Sequence, residues 1–440
     1  MDGGAGNDRI LAGGSNDIII ASIGDDLIDG GDGFDVLDYS QLGVTASVVV
    51  TLSLGFFRAA KRDGGVLTGS DFLSNSVERF IGTQNADKFL GWDQDETFTG
   101  GASNDTIDGG GGFDTARYDV VGVGSVVANL LTGIVHDGLG GIDRLSRASA
   151  TNNFIESIVT GDADDTIIGD SDGNFLRGRG GADFLDGGAG LDTADYSGDA
   201  AFGSTLSGVL ANLSADTVGG VAGGQARDSS NSIDTLVNIE NLRGTDLADT
   251  LIGNDADGNS FRAGRGADVI VGRLGTDIAD HRNDSDLNSD GFGAIINLSN
   301  GAVTIAGFGA ETNIVVGGLR ARDGWGDIDT LTSIESAAGT SAHDLIIGAE
   351  RTPSFSFGGI EHFATDRSFL RGRQGNDTIE AVEMSDGVVA SYGDDGCGYI
   401  PTPAGYLQGG YEPTVALAGP ESEAILLKAM AKLLKAKLVE

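Results

Sequence analysis

The chain has 440 residues and a formal net charge of −39. Its 74 glycines, far above the usual ~7%, stand beside only five prolines and one cysteine. That balance excludes collagen and a disulfide framework, argues against nucleic acid or anionic membrane as partners of the main body, and leaves no apolar run near ~20 residues for a membrane span.

The first stretch is the most regular. From Gly3 to Asp38 the chain reads in nines: Asp8, Asp17, Asp26 and Asp35 follow one another at that step, and a branched apolar residue stands two places after each, at Ile10, Ile19, Ile28 and Leu37. The glycine-rich half of each unit, with Gly4, Gly6, Gly31 and Gly33, can bend tightly through positive φ. The three residues after the aspartate run as a short strand whose middle side chain points inward. One such strand buries almost nothing alone, so the unit must stack on copies of itself. In the turn a carboxylate and free backbone carbonyls converge. Hard oxygen donors of this kind suit Ca²⁺, which takes about 6–8 of them at roughly 2.3–2.6 Å.

The step recurs along the chain. Asp87, Glu96, Asp105 and Asp114 keep it, and so do Asp165, Asn174, Asp183 and Asp192, with Gly188 and Gly190 in the last turn. Asp249, Asn259, Asp268 and Asp277 follow, with one residue inserted before Asn259. A last block begins at Asp344 and resumes at Asp377, Asp386 and Asp395, after an insertion around Thr352–His362 that reads as a bulging loop. The inward position stays apolar: Phe89, Phe98, Ile107, Ile167, Leu176, Leu185, Leu251, Phe261, Ile270, Ile346, Leu370 and Ile379.

A larger repeat lies over the small one. Blocks one to four close around Tyr39, Tyr118, Tyr196 and His281, and a strand-like alternation follows each, beginning at Val48, Val126, Val209 and Ala294. Then come Val77-Glu78, Ile155-Glu156, Ile239-Glu240 and Ile334-Glu335. The body therefore reads as four modules of roughly 80–95 residues.

Gly3-Gly4-Ala5-Gly6-Asn7-Asp8-Arg9-Ile10-Leu11 fits G-G-x-G-x-D-x-U-x, and the chain from Gly3 to Asp395 resembles the RTX (repeats-in-toxin) calcium-binding family. The resemblance implies an all-β, elongated parallel β-roll or β-solenoid over residues 1–397, with each nonapeptide half a coil. The intervening strands either extend the rod or form small sandwiches. Calcium would sit between turns one coil, 18 residues, apart, which pairs Asp8 with Asp26, Asp17 with Asp35, Asp87 with Asp105, Asp165 with Asp183 and Asp377 with Asp395. Glu96/Asp114, Asn174/Asp192 and Asn259/Asp277 are mixed pairs, and Asp249/Asp268 is one residue out of register. The second turn of each later block is degenerate, and an Asx turn without metal is the competing reading there.

The N-terminus carries no basic-then-apolar signal peptide. RTX proteins leave by a type I secretion channel on an uncleaved C-terminal signal, so the resemblance implies a secreted, extracellular or cell-surface protein. Pro401, Pro403 and Pro413 mark residues 398–420 as a linker, and Pro420-Glu421-Ser422-Glu423 opens an amphipathic helix over 421–440. Three readings stay open for that helix: a cap on the solenoid end, an export signal, or a surface contact.

Other motifs read as structural. Ser171 in Gly169-Asp170-Ser171-Asp172-Gly173 matches G-x-S-x-G but falls on a glycine turn, not between a long strand and a helix. His136, His281, His343 and His362 form no H-E-x-x-H or other zinc spacing. His281 stands where other blocks have tyrosine, Cys397 has no His or Cys nearby in sequence, and Arg177-Gly178-Arg179 and Arg371-Gly372-Arg373 read as partners of acids. The expectation is a calcium-binding structural module that folds on binding several Ca²⁺ outside the cell, and not an enzyme. Two other readings remain: the C-terminal part of a larger secreted hydrolase or alginate-epimerase-like enzyme, and a surface-layer or adhesive protein whose partner is a cell-surface or matrix polysaccharide.

Overall fold

The computed structural model describes residues 1–53, 56–120, 122–145, 155–198, 207–256, 258–282, 284, 293–306, 313–342 and 344–348, and then strands within 355–400. The chain divides into two compact units, Met1–Asn254 and Asp255–Glu440. No helix occurs among the described residues; the expected helix over 421–440 lies outside them, as do Asp377 and Asp395.

In the first unit each nonapeptide is a tight turn followed by a short strand, and successive strands go alternately to two sheets. Arg9–Gly14 pairs with Leu27–Asp32, and Ile18–Ile20 with Val36–Asp38. Both pairings are parallel, so Ile10 lies opposite Ile28 and Ile19 opposite Leu37, one 18-residue coil apart. The side-chain period of a strand is two, so a three-residue strand presents one inward position. That position carries the core: Ile19, Ile28, Leu37, Phe89, Phe98, Ile107, Ile167, Leu176 and Leu185 are all buried. Phe80 and Phe98 stack within one sheet at 5.7 Å between ring centroids, and Phe89 meets both from the opposite sheet at 6.0 Å.

One sheet is parallel without interruption. Val36–Asp38 is followed by Arg79–Ile81, Thr97–Thr99, Thr115–Arg117, Ser157–Val159, Phe175–Arg177, Thr193–Asp195 and Asn241–Arg243. The other sheet is broken once per module by an antiparallel reversal. Leu27–Asp32 pairs parallel with Val66–Leu73, which turns antiparallel onto Phe56–Asp63 and then Ala46–Ser53. Ala46–Ser53 resumes the parallel order with Lys88–Leu90. The same detour recurs through Ile142–Leu145, Ile134–His136 and Val127–Asn129, and again through Ile233–Val237, Gln225–Arg227 and Leu210–Asn212. The intervening strands are thus members of the roll's own sheet and do not form separate sandwiches. Their inward residues, Val48, Val50, Val126, Ala128, Val209 and Ala211, are buried as the alternation requires.

The second unit repeats the plan. Ser260–Arg262, Ile278–Asp280, Ser336–Ala338 and Phe369–Arg373 form a parallel series. Val269–Val271 pairs parallel with Ile328–Thr332, which reverses through Arg320–Arg322 to Ile295–Asn297. Phe261, Ile270, Ile346 and Leu370 are buried at the inward position.

Two expectations change. Within the insertion expected to bulge as a loop, Phe355–Phe357 pairs antiparallel with Ile360–His362. Residues 398–400 of the expected linker belong to a strand, Gly396–Ile400, paired antiparallel with Val388–Tyr392, and the rest of it lies outside the described residues. Pro401, which lacks the N–H a ladder needs, follows the strand directly.

Candidate metal centre

The nonapeptide aspartates form a ladder through one carboxylate oxygen each. Asp8 N–H donates to Asp26 Oδ1 at 3.0 Å, and Asp17 N–H to Asp35 Oδ1 at 2.9 Å. Asp87 donates to Asp105, Asp165 to Asp183 and Glu96 to Asp114, all at 2.8 Å; Asn174 donates to Asp192 at 2.7 Å and Asn259 to Asp277 at 3.0 Å. These seven 18-residue pairs read from sequence are therefore brought together by backbone-to-carboxylate hydrogen bonds. Asp26, Asp35, Asp105, Asp114, Asp183, Asp192, Asp268 and Asp277 are buried; Asp8 and Asp17, at the N-terminal edge, are half-buried.

The other oxygen of most rungs faces the glycine turn. Oδ2 of Asp8, Asp35, Asp105, Asp114, Asp165, Asp183 and Asp192, and Oε1 of Glu96, are buried with no hydrogen-bond partner. A buried acceptor left without a donor costs about 1–3 kcal/mol. The glycine five residues before each carboxylate makes the approach possible. A Cβ on Gly91 would stand 2.7 Å from Glu96 Oε2, and on Gly100, Gly109 or Gly178 it would run into Oδ2 of Asp105, Asp114 or Asp183. Gly188 and Gly190 take positive φ, 93° and 129°, and a Cβ there would collide with the Asp170 and Asp172 carbonyls of the turn one coil earlier. Gly31 and Gly33 stack in the same way on Gly13 and Ser15, while a Cβ on Gly4 or Gly6 would meet open space.

Burial, first of all, raises these carboxyls: Asp105 and Asp114 to about 8, Glu96 and Asp183 to about 9, Asp192 to about 7. The Asp234 charge adds to the shift of Asp183. Desolvated anions this close need protons or a cation.

Asp87, Asp249 and Asp344, the first rungs of the later blocks, are different. Asp87 accepts Val48 N–H at 2.6 Å on one oxygen and Thr83 N–H at 2.6 Å on the other. Asp249 does so with Val209 and Thr245, and Asp344 with Ala294 and Thr340. With both oxygens engaged by backbone donors, these three act as turn and strand caps, and they are poorer candidate ligands than the rungs after them. Asp165 caps Val126 N–H likewise but keeps Oδ2 without a partner.

The ladder continues through residues that the nine-residue step does not reach. Asp26, Asp105, Asp183 and Asp268 donate their N–H to Asp71, Asp143, Asp234 and Asp329, and Asp35, Asp114, Asp192 and Asp277 to Glu78, Glu156, Glu240 and Glu335. A recurring Asp-x-Leu, at Asp71-Phe72-Leu73, Asp143-Arg144-Leu145, Asp234-Thr235-Leu236 and Asp329-Thr330-Leu331, is the signal that would have found the first set. The buried closing residues face the same aspartates: Tyr196 Oη donates to Asp234 at 3.0 Å. His281 packs in the tyrosine position with Nδ1 2.8 Å from Asp284; burial is the largest influence and lowers its pKa, but the charge and hydrogen bond of Asp284 and the charges of Asp329 and Asp323 together outweigh it and raise it to about 9. Arg177 pairs with Asp195 and Arg179 with Asp119, as the acid-partner reading requires. Ser171 lies exposed in a turn between the strands Thr166–Ile168 and Phe175–Arg177.

Among the described residues no three His, Cys, Asp or Glu side chains gather as a metal cluster. Each turn contributes one carboxylate, so any ion there would take most of its ligands from backbone carbonyls. Oxygen-only donors, a buried carboxylate oxygen without a hydrogen, and glycine turns stacked on carbonyls fit Ca²⁺.

Stacked glycine turns, a carboxylate rung every 18 residues and one inward apolar side chain per strand define a parallel β-roll of the calcium-binding repeat class. The family model for the RTX calcium-binding nonapeptide repeat (4 copies) matches residues 2–37, 79–116 and 159–194, and in two overlapping stretches 243–279 and 255–287. The chain thus carries the RTX calcium-binding nonapeptide repeat in successive blocks along its length. A search of curated proteins finds no match to it. The family matches fall on the ladder blocks and skip the antiparallel reversals between them.

Proposed function

We propose that the chain is a secreted structural module whose turn rows fold when Ca²⁺ binds between them, and that it carries no catalysis of its own. The observation that supports this reading is the row of buried carboxylate oxygens without donors, repeated at the coil step beside glycine carbonyls. Without an ion, neighbouring rungs carry like charges in a poorly solvated place, which is unfavourable. Three-residue strands hold little by themselves, so the energy of ion binding becomes folding energy. The paired rungs set the expected load at about 5–9 Ca²⁺, with affinities in the range of extracellular modules, 10⁻⁴–10⁻³ M in order of magnitude. A chain that stays expanded where calcium is scarce and folds where it is abundant suits export through a narrow channel, which is the basis for placing the protein outside the cell.

The test is far-UV circular dichroism and hydrodynamic radius in EDTA, in about 5 mM Ca²⁺ and in equal Mg²⁺, which prefers six ligands at shorter distance. Compaction with a gain of β signal in Ca²⁺ alone is expected. The same compact β spectrum in all three solutions would mean that the apolar stack suffices and the calcium-driven reading is wrong.

A further inference from the structure

The first module departs from the next two at one buried position. In each reversal an inward residue lies opposite the ladder aspartate: Ala59 opposite Asp71, Val135 opposite Asp143, Ala226 opposite Asp234. Two residues further on stand Lys61, Asp137 and Asp228, all buried to within 1% of full. The second and third modules therefore add another carboxylate beside the ladder, and the first adds an ammonium.

The ammonium is fully engaged. Lys61 Nζ donates to Asp71 Oδ1 at 2.5 Å, to Asp26 Oδ2 at 3.0 Å and to the Ser22 carbonyl at 2.6 Å. Asp26 Oδ2 is the oxygen whose counterparts in the next modules, Asp105 Oδ2 and Asp183 Oδ2, have no hydrogen-bond partner. Asp26 and Asp71 are themselves linked by Asp26 N–H to Asp71 Oδ1 at 3.1 Å, as Asp105 is to Asp143 and Asp183 to Asp234. A lysine side chain reaches this point only by burying its whole length, and a buried ammonium persists only when its donors are matched. Here three acceptors, two of them carboxylates, meet three donors.

We propose that Lys61 is a tethered cation that closes the Asp26–Asp71 pair without a metal ion, so that the first module's reversal folds at calcium levels where the second and third do not. The inference rests on the calcium-dependent folding proposed above for the unpartnered rungs. It makes the first module a calcium-independent start on which ion-dependent coils can stack.

Hydrogen exchange read by mass spectrometry on the full-length protein tests this directly. In EDTA the segment Phe56–Leu73 should exchange at least about tenfold more slowly than Ile134–Leu145 and Gln225–Val237, and in Ca²⁺ all three should be protected. Lys61→Met should erase the advantage of Phe56–Leu73 in EDTA, while Lys61→Arg, which keeps the charge, should retain most of it. Equal lability of the three segments in wild-type protein in EDTA, with protection of all three in Ca²⁺, would overturn the role of Lys61 and leave the calcium reading standing. Equal protection of all three in EDTA would overturn both. Unchanged protection in Lys61→Met would overturn the role of Lys61 alone.

Discussion

The two sheets of the first unit are built from the same repeat and differ in strand length. In the uninterrupted parallel sheet the strands are three residues long, and every turn that feeds it ends on a carboxylate except at Asn174. In the interrupted sheet the first reversal runs through three strands of eight residues, Ala46–Ser53, Phe56–Asp63 and Val66–Leu73. Their pairing is between sequence neighbours, and loop closure over so few residues costs little entropy. On the proposed reading, dependence on a cation follows the carboxylates, which precede strands of both sheets, and not strand pairing as such. The first reversal can form by ordinary hairpin physics with Lys61 supplying its counter-charge, whereas rungs without such a cation cannot be both ionised and buried.

Acid should blur that difference most. Asp105 and Asp114 rise to about 8 and Glu96 and Asp183 to about 9 in the fold, from ordinary values of 3.8 and 4.5. Between those limits the folded metal-free chain holds more protons than the unfolded one. Its stability is therefore fully present in acid, below the unfolded values, and is lost as pH rises through about 8 to 9. In EDTA the folded β signal should be strongest near pH 5 and be lost as pH rises to 9, and saturating Ca²⁺ should remove that dependence. A metal-free stability that climbs with pH would break the account of the rungs.

Next in size is the shared interior. Phe98→Ala removes the ring stacked on Phe80 and in contact with Phe89, and should cost about 3–5 kcal/mol by denaturant unfolding in Ca²⁺. A loss under about 1 kcal/mol would mean that the coils are not packed on these rings.

A single rung gives a smaller effect with opposite signs in two solutions. Asp105→Asn keeps an oxygen to accept the Asp87 N–H but removes the buried charge. In EDTA at pH 8 it should stabilise the chain by about 1–3 kcal/mol, the cost of an unsatisfied buried group. In a calcium titration it should shift the midpoint upward. Stabilisation in both solutions would show that Asp105 holds no ion.

The smallest change is expected at Ser171, which is exposed in its turn. Ser171→Ala should move stability by no more than about 0.5 kcal/mol. A thermal melt distinguishes this from a structural role for the hydroxyl.

Much of the fold was legible because the physics that made it is periodic. A strict nine-residue step fixes turn, strand and inward side chain at once, so Ile19, Phe98 and Leu185 could be placed in the core from sequence. The same strictness concealed the rest. Asp71, Asp143 and Asp234 are joined to the ladder across 45, 38 and 51 residues, because each reversal is a different length. No fixed period finds them; only the repeated Asp-x-Leu does. The capping role of Asp87, Asp249 and Asp344 was hidden for the opposite reason. They keep the register, yet the residue that takes their carboxylate is a strand-opening N–H about 40 or more residues upstream, as at Val48 for Asp87.

The ladder also has a direction. At Asp8, Asp17, Asp87 and Asp165 the N–H of the rung is accepted by the carboxylate of the rung on its C-terminal side, whereas Glu78, Glu156 and Glu240, which close each block, donate back to the carbonyl of the rung before. A coil laid onto a neighbour already in place on that side is capped as it docks. A coil laid in the other order leaves its amides bare until the next arrives, at the cost of buried donors without acceptors. Growth outward from the first module therefore runs one layer in arrears within a block: each coil added on the C-terminal side supplies the carboxylate that caps the rung before it and waits for its own. The roll is a polar polymer in miniature, its two ends made unlike by which atom of the repeat donates and which accepts.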